Sequence, residues 1–243
     1  MNRLTVRRLG AGLPLVLIPG WAMHSGVWGD DLVTRLAAHF HLLLVDLPPQ
    51  YRADDAEALV DALATLVPQA AWLGWSLGGQ LALQVARRHP SQVTGLVLVA
   101  SNPRFLAAPG WPGMAPSAFA DLEARIREDP GRGLRRFLAL AAMGTPAGRL
   151  LRRLWQRRPP PAPEALRAGL AWLRQWDLRA ALATLACPTL WLGGVGDGLV
   201  PAAALQAAAR LSGGHWREVA GGGHVPFLVD PETTAEAIRE ILT

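Results

Sequence analysis

The sequence predicts an α/β fold in which a mostly parallel sheet is covered by helices on both faces. Short strand-like runs alternate with segments of helical periodicity on both sides of a central Arg-rich stretch. Strands that are apolar on both faces are typical of a parallel sheet buried between helices. The chain has 243 residues, which is long enough to bury a large core.

Six strands and five helices form this alternation. We expect strands over residues 15–18, 42–45, 71–74, 93–100, 189–192 and 216–219. We expect helices near residues 27–39, 54–66, 77–89, 202–211 and 233–242. The strands are short β-type runs, and the helices between them are the crossovers that parallel strands require.

The alternation stops after Ser101 and resumes near Cys187. The segment between them is helix-like and contains a proline run at residues 159–163, which we interpret as a rigid turn between helices. An insertion between two strands lies above the carboxyl edge of the sheet, where α/β proteins place their sites. We therefore predict a helical cap over residues 102–185, inserted into a single-domain core of residues 1–101 and 186–243.

The basic charge is concentrated in this cap. All 24 basic residues are arginines. Residues 102–180 contain 14 of them against six acidic residues, a formal charge of +8, whereas the rest of the chain has a formal charge of −3. A solvated helix face and a docking surface for an acidic partner both explain such a patch. Nucleic acid is disfavoured because the arginines are not interleaved with an aromatic stacking platform.

Several function classes are excluded by composition. The only cysteine, Cys187, cannot form an internal disulfide or a thiolate cluster, and no His, Cys or Asp spacing suggests a metal site. Apolar runs are interrupted before they reach the ~20 residues that span a bilayer. The N-terminus lacks a secretory signal, so we expect a cytoplasmic protein. The interrupted apolar runs predict no membrane partner, and we also expect that no cofactor is needed.

The most informative motif is Gly74-Trp75-Ser76-Leu77-Gly78. It follows an apolar run and opens an amphipathic segment, the strand–turn–helix context of a nucleophile elbow. Such a turn forces the serine into strained backbone angles, and glycine at its neighbours lets the strand and the helix approach each other. Ser76 is therefore the candidate nucleophile.

A serine nucleophile needs a histidine base and a carboxylate that holds the tautomer of that histidine. His224 follows the last predicted strand in a glycine-rich loop, and Asp197 follows the strand before it. Taken singly, each residue is more often a turn former or a structural side chain. Three candidates in the order Ser76, Asp197, His224, each directly after a strand, predict a catalytic triad.

Acyl transfer also requires donors for the developing oxyanion. The backbone amide after the nucleophile, that of Leu77, is one candidate. The second is the amide of Trp21, in the loop Pro19-Gly20-Trp21 after an early strand. Simple core packing of the Trp21 indole is the alternative interpretation, and it is compatible with a donor role for the backbone N–H.

At these motifs the chain resembles the α/β-hydrolase superfamily, and more closely its pimeloyl-[acyl-carrier protein] methyl ester esterase family of biotin synthesis. The resemblance covers nearly the whole chain. It depends most on the segment from Trp72 to Gly79, on Arg136-Phe137-Leu138-Ala139-Leu140 with Met143-Gly144-Thr145, on Trp111-Pro112-Gly113, and on Asp197-Gly198-Leu199-Val200-Pro201. The elbow marks only the superfamily, whereas the cap and Asp197 segments are more specific.

The resemblance implies a monomeric esterase that converts the methyl ester of pimeloyl-[acyl-carrier protein] to the free acid and methanol. It implies Ser76, Asp197 and His224 as the triad and substrate contacts at Trp21, Ser76, Leu77, Phe137, Leu138, Ala139, Leu140, Ala141 and His224. It also implies that an acyl carrier protein docks at Arg132, Arg136, Arg149 and Arg153. A general short-chain carboxylesterase or thioesterase is the alternative, and a non-catalytic binding protein of the same fold is a third class.

Overall fold

The computed structural model describes residues 4–243, which form seven strands and eleven α-helices. The strands are β1 Thr5–Leu9, β2 Leu13–Ile18, β3 Phe40–Asp46, β4 Ala70–Trp75, β5 Val93–Val99, β6 Thr189–Gly194 and β7 His215–Val219. The helices are α1 Asp30–Ala37, α2 Ala56–Ala64, α3 Leu77–Arg88, α4 Pro116–Glu128, α5 Pro130–Ala141, α6 Gly148–Trp155, α7 Pro163–Gln175, α8 Arg179–Leu182, α9 Ala202–Ser212, α10 Pro226–Val229 and α11 Pro231–Leu242.

All strands belong to one sheet, in the order β1-β3-β2-β4-β5-β6-β7. The six predicted strands are confirmed as β2 to β7, and they pair in parallel. The central strand β4 is buried at every residue, as expected for a sheet covered on both faces. The α/β fold predicted from the sequence is therefore confirmed.

Strand β1 was not predicted. It pairs antiparallel with β3 at the edge of the sheet, and Arg7 and Arg8 are exposed on it. A short edge strand with adjacent arginines lacks the apolar run that marks the buried strands, and charge on an edge prevents pairing with other chains. This is why the pattern that predicted the other six strands missed it.

The predicted helix over residues 27–39 was partly wrong. Residues Ser25–Trp28 form a 3-10 turn, and α1 begins only at Asp30. Gly29 separates the two because its φ of +73° interrupts the helical path.

At the other end of the chain, α11 begins at Pro231, where Asp230 accepts a hydrogen bond from the Thr233 amide at 2.9 Å.

Helices α4 to α8 lie between β5 and β6 and form the helical insert that the sequence predicted. The two ends of the insert are joined near its base. The Leu178 amide donates to the Pro103 carbonyl at 2.9 Å, and the Arg104 guanidinium donates to Asp177 at 2.8 Å. Hydrogen bonds from Arg179 and from Arg104 hold the pKa of Asp177 well below its usual range. The proline run lies between α6 and α7.

No helix within residues 4–243 combines the length and the apolar character needed to cross a bilayer.

Candidate active site

Ser76 occupies the turn between β4 and α3. Its φ of 55° and ψ of −120° lie outside the regions that a residue with a side chain normally adopts. The turn is held by its neighbours, because the Ser76 amide donates to the Val99 carbonyl at 2.9 Å and its carbonyl accepts from Ser101 Oγ at 2.8 Å. A conformation that costs about 1–3 kcal/mol is kept only where the surrounding structure holds it in this way.

Glycines on both sides of Ser76 allow the strand, the helix and the adjacent loop to meet. A Cβ atom at Gly74 would lie closer than 3.0 Å to the backbone of Gly78 and Gly79. A Cβ atom at Gly78 would lie closer than 3.0 Å to the carbonyl oxygens of Ile18 and Pro19. The elbow therefore depends on glycine at both positions, as its sequence pattern indicated.

The carboxyl ends of β6 and β7 bring an acid and a histidine together. Asp197 Oδ2 lies 2.8 Å from His224 Nδ1, and both side chains are almost completely buried. Asp197 Oδ1 accepts hydrogen bonds from the amides of Leu199 and Val200 at 2.8 and 3.0 Å. The carboxylate is thus fixed by its own loop while its second oxygen orients the imidazole.

This pairing sets the tautomer of His224. With Nδ1–H donating to Asp197, Nε2 carries the lone pair, which is the form a general base requires. Nε2 is buried and has no hydrogen-bond partner among residues 4–243, so it is not bonded to the Ser76 hydroxyl in this structure. Trp75, next to the serine, donates from its indole to the His224 carbonyl at 2.7 Å. Catalytic hydrogen bonds in free enzymes are often long and shorten when substrate binds.

The insert packs directly on the two loops that carry this pair. A Cβ atom at Gly223 would lie closer than 3.0 Å to Thr145 Cγ2, and one at Gly198 would lie equally close to Met143. The turn after α5 therefore contacts the residue beside His224 and the residue beside Asp197. The sequence contains these residues in a family-specific stretch, but nothing in the stretch indicated which loops they contact.

The two predicted oxyanion donors are both available. Leu77 is the first residue of α3, where backbone amides have no intrahelical acceptor. Neither the Leu77 amide nor the Trp21 amide donates a hydrogen bond to another residue in the described part of the chain. The Trp21 indole is buried and donates to the Leu166 carbonyl at 2.9 Å, so the side chain has a structural role of its own.

The predicted substrate contacts in the insert divide between two faces of α5. Phe137 packs edge to face on Trp21 with ring centroids 4.8 Å apart, and Leu138 and Ala141 are also buried. Leu140 is half-buried. Ala139 is exposed, because a residue two positions from Phe137 lies about 200° around the helix. The structure thus brings Phe137 to Trp21 but does not bring Ala139 there.

The four predicted docking arginines are exposed on two adjacent helices. Arg132 and Arg136 are one turn apart on α5, and Arg149 and Arg153 are one turn apart on α6. Within residues 4–243 none of the four has a carboxylate within 4.0 Å. By contrast, Arg104, Arg158, Arg174 and Arg179 of the same insert are paired with acids. Arg132, Arg136, Arg149 and Arg153 are therefore not neutralised by a carboxylate of the described chain, and their charges are available to an acidic partner.

Sequence reasoning missed several residues that hold the site. Ser101 supports the Ser76 turn, and Trp155 donates from its indole to the Ala22 carbonyl at 3.2 Å. At Gly169, within α7, a Cβ atom would lie closer than 3.0 Å to the Trp21 ring. An isolated glycine inside a helical pattern indicates such a close approach, so Gly169 could have been found. Nothing in the sequence marked Ser101 or Trp155.

Comparisons with known proteins agree with this geometry. Residues 15–237 match the model of an alpha/beta hydrolase family. A pimeloyl-[acyl-carrier protein] methyl ester esterase of Xanthomonas oryzae pv. oryzae is 43% identical, with 96% of each chain covered. The protein of the same name from Stenotrophomonas maltophilia is 44% identical over 96% of this chain and 94% of its own.

Solved structures show the same fold. An esterase from Rhodococcus sp. is 26% identical, with a TM-score of 0.79 and 98% of this chain and 94% of that chain covered. An esterase from Exiguobacterium antarcticum, 21% identical, superimposes with a TM-score of 0.85 over 100% of this chain and 99% of its own and supports the fold alone. On this evidence of sequence and fold, the chain belongs to the α/β-hydrolase family and, within it, to the pimeloyl-[acyl-carrier protein] methyl ester esterases.

Proposed function

We propose that the protein is a serine carboxylesterase that hydrolyses the methyl ester of pimeloyl-[acyl-carrier protein] to pimeloyl-[acyl-carrier protein] and methanol. The observation that carries the proposal is the buried Asp197–His224 pair beside the strained Ser76 turn. Identity of more than 40% to esterases of that name, extending through the helical insert, supports the choice of substrate.

The mechanism uses two half-reactions. His224 Nε2 takes the proton of Ser76 Oγ as this oxygen attacks the ester carbonyl, and the amides of Leu77 and Trp21 stabilise the oxyanion. The tetrahedral intermediate collapses, the carbonyl–methoxy bond breaks, and His224 returns the proton to release methanol. Water, deprotonated by His224, then attacks the acyl-enzyme, and the Ser76 oxygen leaves as a hydroxyl.

Asp197 acts on the histidine alone. Its hydrogen bond keeps the imidazole in the Nδ1–H tautomer and stabilises the imidazolium that forms during attack. The amides of Leu199 and Val200 hold the carboxylate, which therefore needs no rearrangement as the charge develops.

The insert supplies the specificity in this proposal. Residues 102–185 act as a cap on the core of residues 1–101 and 186–243, and Phe137, Leu138 and Leu140 line an apolar path to Ser76. This path presents the distal methyl ester to the serine and keeps the thioester at the carrier end away from it. The unpaired arginines Arg132, Arg136, Arg149 and Arg153 attract the acidic carrier protein. We also propose that the enzyme is a monomer. Because its substrate is bound to a carrier protein, the enzyme and the carrier must be in the same compartment, which we propose is the cytoplasm.

The test is to incubate wild type and Ser76→Ala with pimeloyl-[acyl-carrier protein] methyl ester in isotopically labelled water and to follow the products by mass spectrometry. We expect wild type to give carrier-bound acid with one labelled carboxylate oxygen and unlabelled methanol, and Ser76→Ala to give no product. Release of the free half-ester from the carrier would instead show a thioesterase. Undiminished activity of Ser76→Ala would contradict a serine mechanism altogether.

A further inference from the structure

The Trp21 amide lies in a strained turn. The Met23 amide donates to the Gly20 carbonyl at 3.1 Å and closes a four-residue turn, in which Ala22 has a φ of +61°. A positive φ at the third residue is the mark of a type II turn, and glycine is the residue that adopts it without strain. With alanine there, the turn keeps its shape only if other groups hold it.

Trp155, at the end of α6, supplies that hold from 133 residues away. Its indole Nε1–H donates to the Ala22 carbonyl at 3.2 Å. The Ala22 carbonyl and the Met23 N–H belong to one peptide group, and the Met23 N–H donates to the Gly20 carbonyl. Both polar atoms of this peptide group are therefore hydrogen-bonded. The turn is thus clamped between the core and the insert at the residue that carries the strain.

The main chain of Trp155 makes a second contact with the same loop. The Trp155 carbonyl lies 3.3 Å from His24 Nε2, while His24 Nδ1 accepts from the Gly26 amide at 3.1 Å. Because Nδ1 is an acceptor, Nε2 carries the proton and donates to Trp155. The Trp21 indole is bonded elsewhere, to Leu166, and that bond fixes the side chain and not the Ala22 peptide.

We propose that Trp155 is a positioning residue that holds the oxyanion donor in place through the Ala22 carbonyl. The inference rests on the proposed function, in which the Trp21 amide is one of the two donors. An oxyanion donor acts only when it lies at hydrogen-bond distance from the oxygen of the transition state. Loss of the indole hydrogen bond therefore lowers the rate of the chemical step and leaves ground-state binding unchanged.

The test uses Trp155→Phe, which keeps an aromatic ring and removes the N–H. Trp172→Phe is the matched control. The Trp172 indole also joins the insert to the core, because its N–H donates to the Ala53 carbonyl at 2.8 Å and not to the turn of residues 20–23. Hydrolysis of p-nitrophenyl butyrate and inhibition by an alkyl trifluoromethyl ketone, which forms a tetrahedral adduct with the serine, are measured for each protein.

For Trp155→Phe we expect kcat to fall about 2- to 10-fold at an unchanged KM, the range that one hydrogen bond supplies. The affinity of Trp155→Phe for the ketone should fall by the same factor. In Trp172→Phe both kcat and the ketone affinity should stay at the wild-type values. In the double variant Trp155→Phe/Ala22→Gly, glycine adopts the positive φ without strain. Most of the lost kcat should therefore return.

Three outcomes overturn the inference. One is a Trp155→Phe protein with unchanged kcat and ketone affinity. Another is an equal loss of kcat in Trp155→Phe and Trp172→Phe, which would indicate general loosening of the insert. The third is failure of Ala22→Gly to restore any activity. Ser76→Ala is measured alongside: if it hydrolyses the ester normally, the proposed function fails, whereas its inactivity together with an unchanged Trp155→Phe removes only the role of Trp155.

Discussion

Asp197 holds His224 through one carboxylate oxygen and its own loop through the other. Oδ2 lies 2.8 Å from His224 Nδ1, and Oδ1 accepts the amides of Leu199 and Val200 at 2.8 and 3.0 Å. A substitution that changes only one oxygen therefore separates the orientation of His224 from the anchoring of the loop.

Asp197→Asn is expected to keep the loop and to lose the reaction. Its amide oxygen can still accept from Leu199, but its NH2 group would face His224 Nδ1 and favour the wrong tautomer. We expect kcat to fall by a factor of about 10⁴, as tautomer loss does in such triads, with little change in the unfolding midpoint. Steady-state kinetics and urea unfolding measure the two effects. A loss of less than tenfold would show that Asp197 does not act in catalysis.

The backbone strain at Ser76 predicts that a residue without this strain at position 76 would raise the free energy of unfolding. With a φ of 55°, alanine keeps the backbone strain, whereas glycine removes it. Ser76→Gly should therefore be more stable than Ser76→Ala by about 1 kcal/mol, although both are inactive. Urea unfolding of the two variants measures the difference, and equal stability would show that the turn stores no strain.

The contact between Thr145 and Gly223 predicts that the insert positions the histidine loop. Gly221 and Gly223 both have a positive φ, but a Cβ atom would meet Thr145 only at Gly223 and nothing within 4 Å at Gly221. We expect Gly223→Ala to lower kcat about 10- to 100-fold through displacement of His224, and Gly221→Ala to cost about 1 kcal/mol of stability with little loss of rate.

A second substitution separates this steric effect from backbone strain. Thr145→Ser removes the Cγ2 methyl group that would contact the new Cβ and keeps the oxygen that accepts from the Ala147 amide at 2.9 Å. Gly223→Ala/Thr145→Ser should recover part of the lost rate. Equal rates for Gly221→Ala and Gly223→Ala would contradict the proposed contact.

The ion pairs at the base of the insert predict a defined pH dependence of stability. Arg179 and Arg104 hold the pKa of Asp177 low, so its contribution is present above the ordinary aspartate pKa of about 3.9 and is lost as the pH falls through the folded-state value. Asp177→Asn should lower the free energy of unfolding by about 1 kcal/mol at pH 7, since the pair is partly exposed.

This difference should persist at pH 5 and shrink only below about pH 3.9, as urea unfolding at several pH values can show. Asp54→Asn serves as the control, because Asp54 and its partner Arg52 are both highly exposed and their contact is 3.4 Å long. A stability difference for Asp177→Asn that stays constant down to low pH would contradict the role of its charge.

Much of the site could be predicted because parallel strands end at one edge of the sheet. Ser76, Asp197 and His224 each follow such a strand, so the topology alone brings their loops together. The burial of Phe137 and the exposure of Ala139 could not be separated within a family-specific stretch until the helical path of α5 was known. Contacts such as Trp155 with Ala22 depend on how the insert seats on the core, which no local pattern encodes.

The most direct measurement compares hydrolysis of carrier-bound pimeloyl methyl ester with that of a free short-chain methyl ester. The proteins are wild type, a variant with Arg132, Arg136, Arg149 and Arg153 changed to Glu, and a charge-matched control with the exposed Arg8, Arg87, Arg210 and Arg239 changed to Glu. We predict that wild type and the control prefer the carrier-bound ester and that only the cap variant loses this preference, while all three cleave the free ester alike. Equal cleavage of both esters by wild type, with no effect of the cap arginines, would contradict the account and indicate a general esterase.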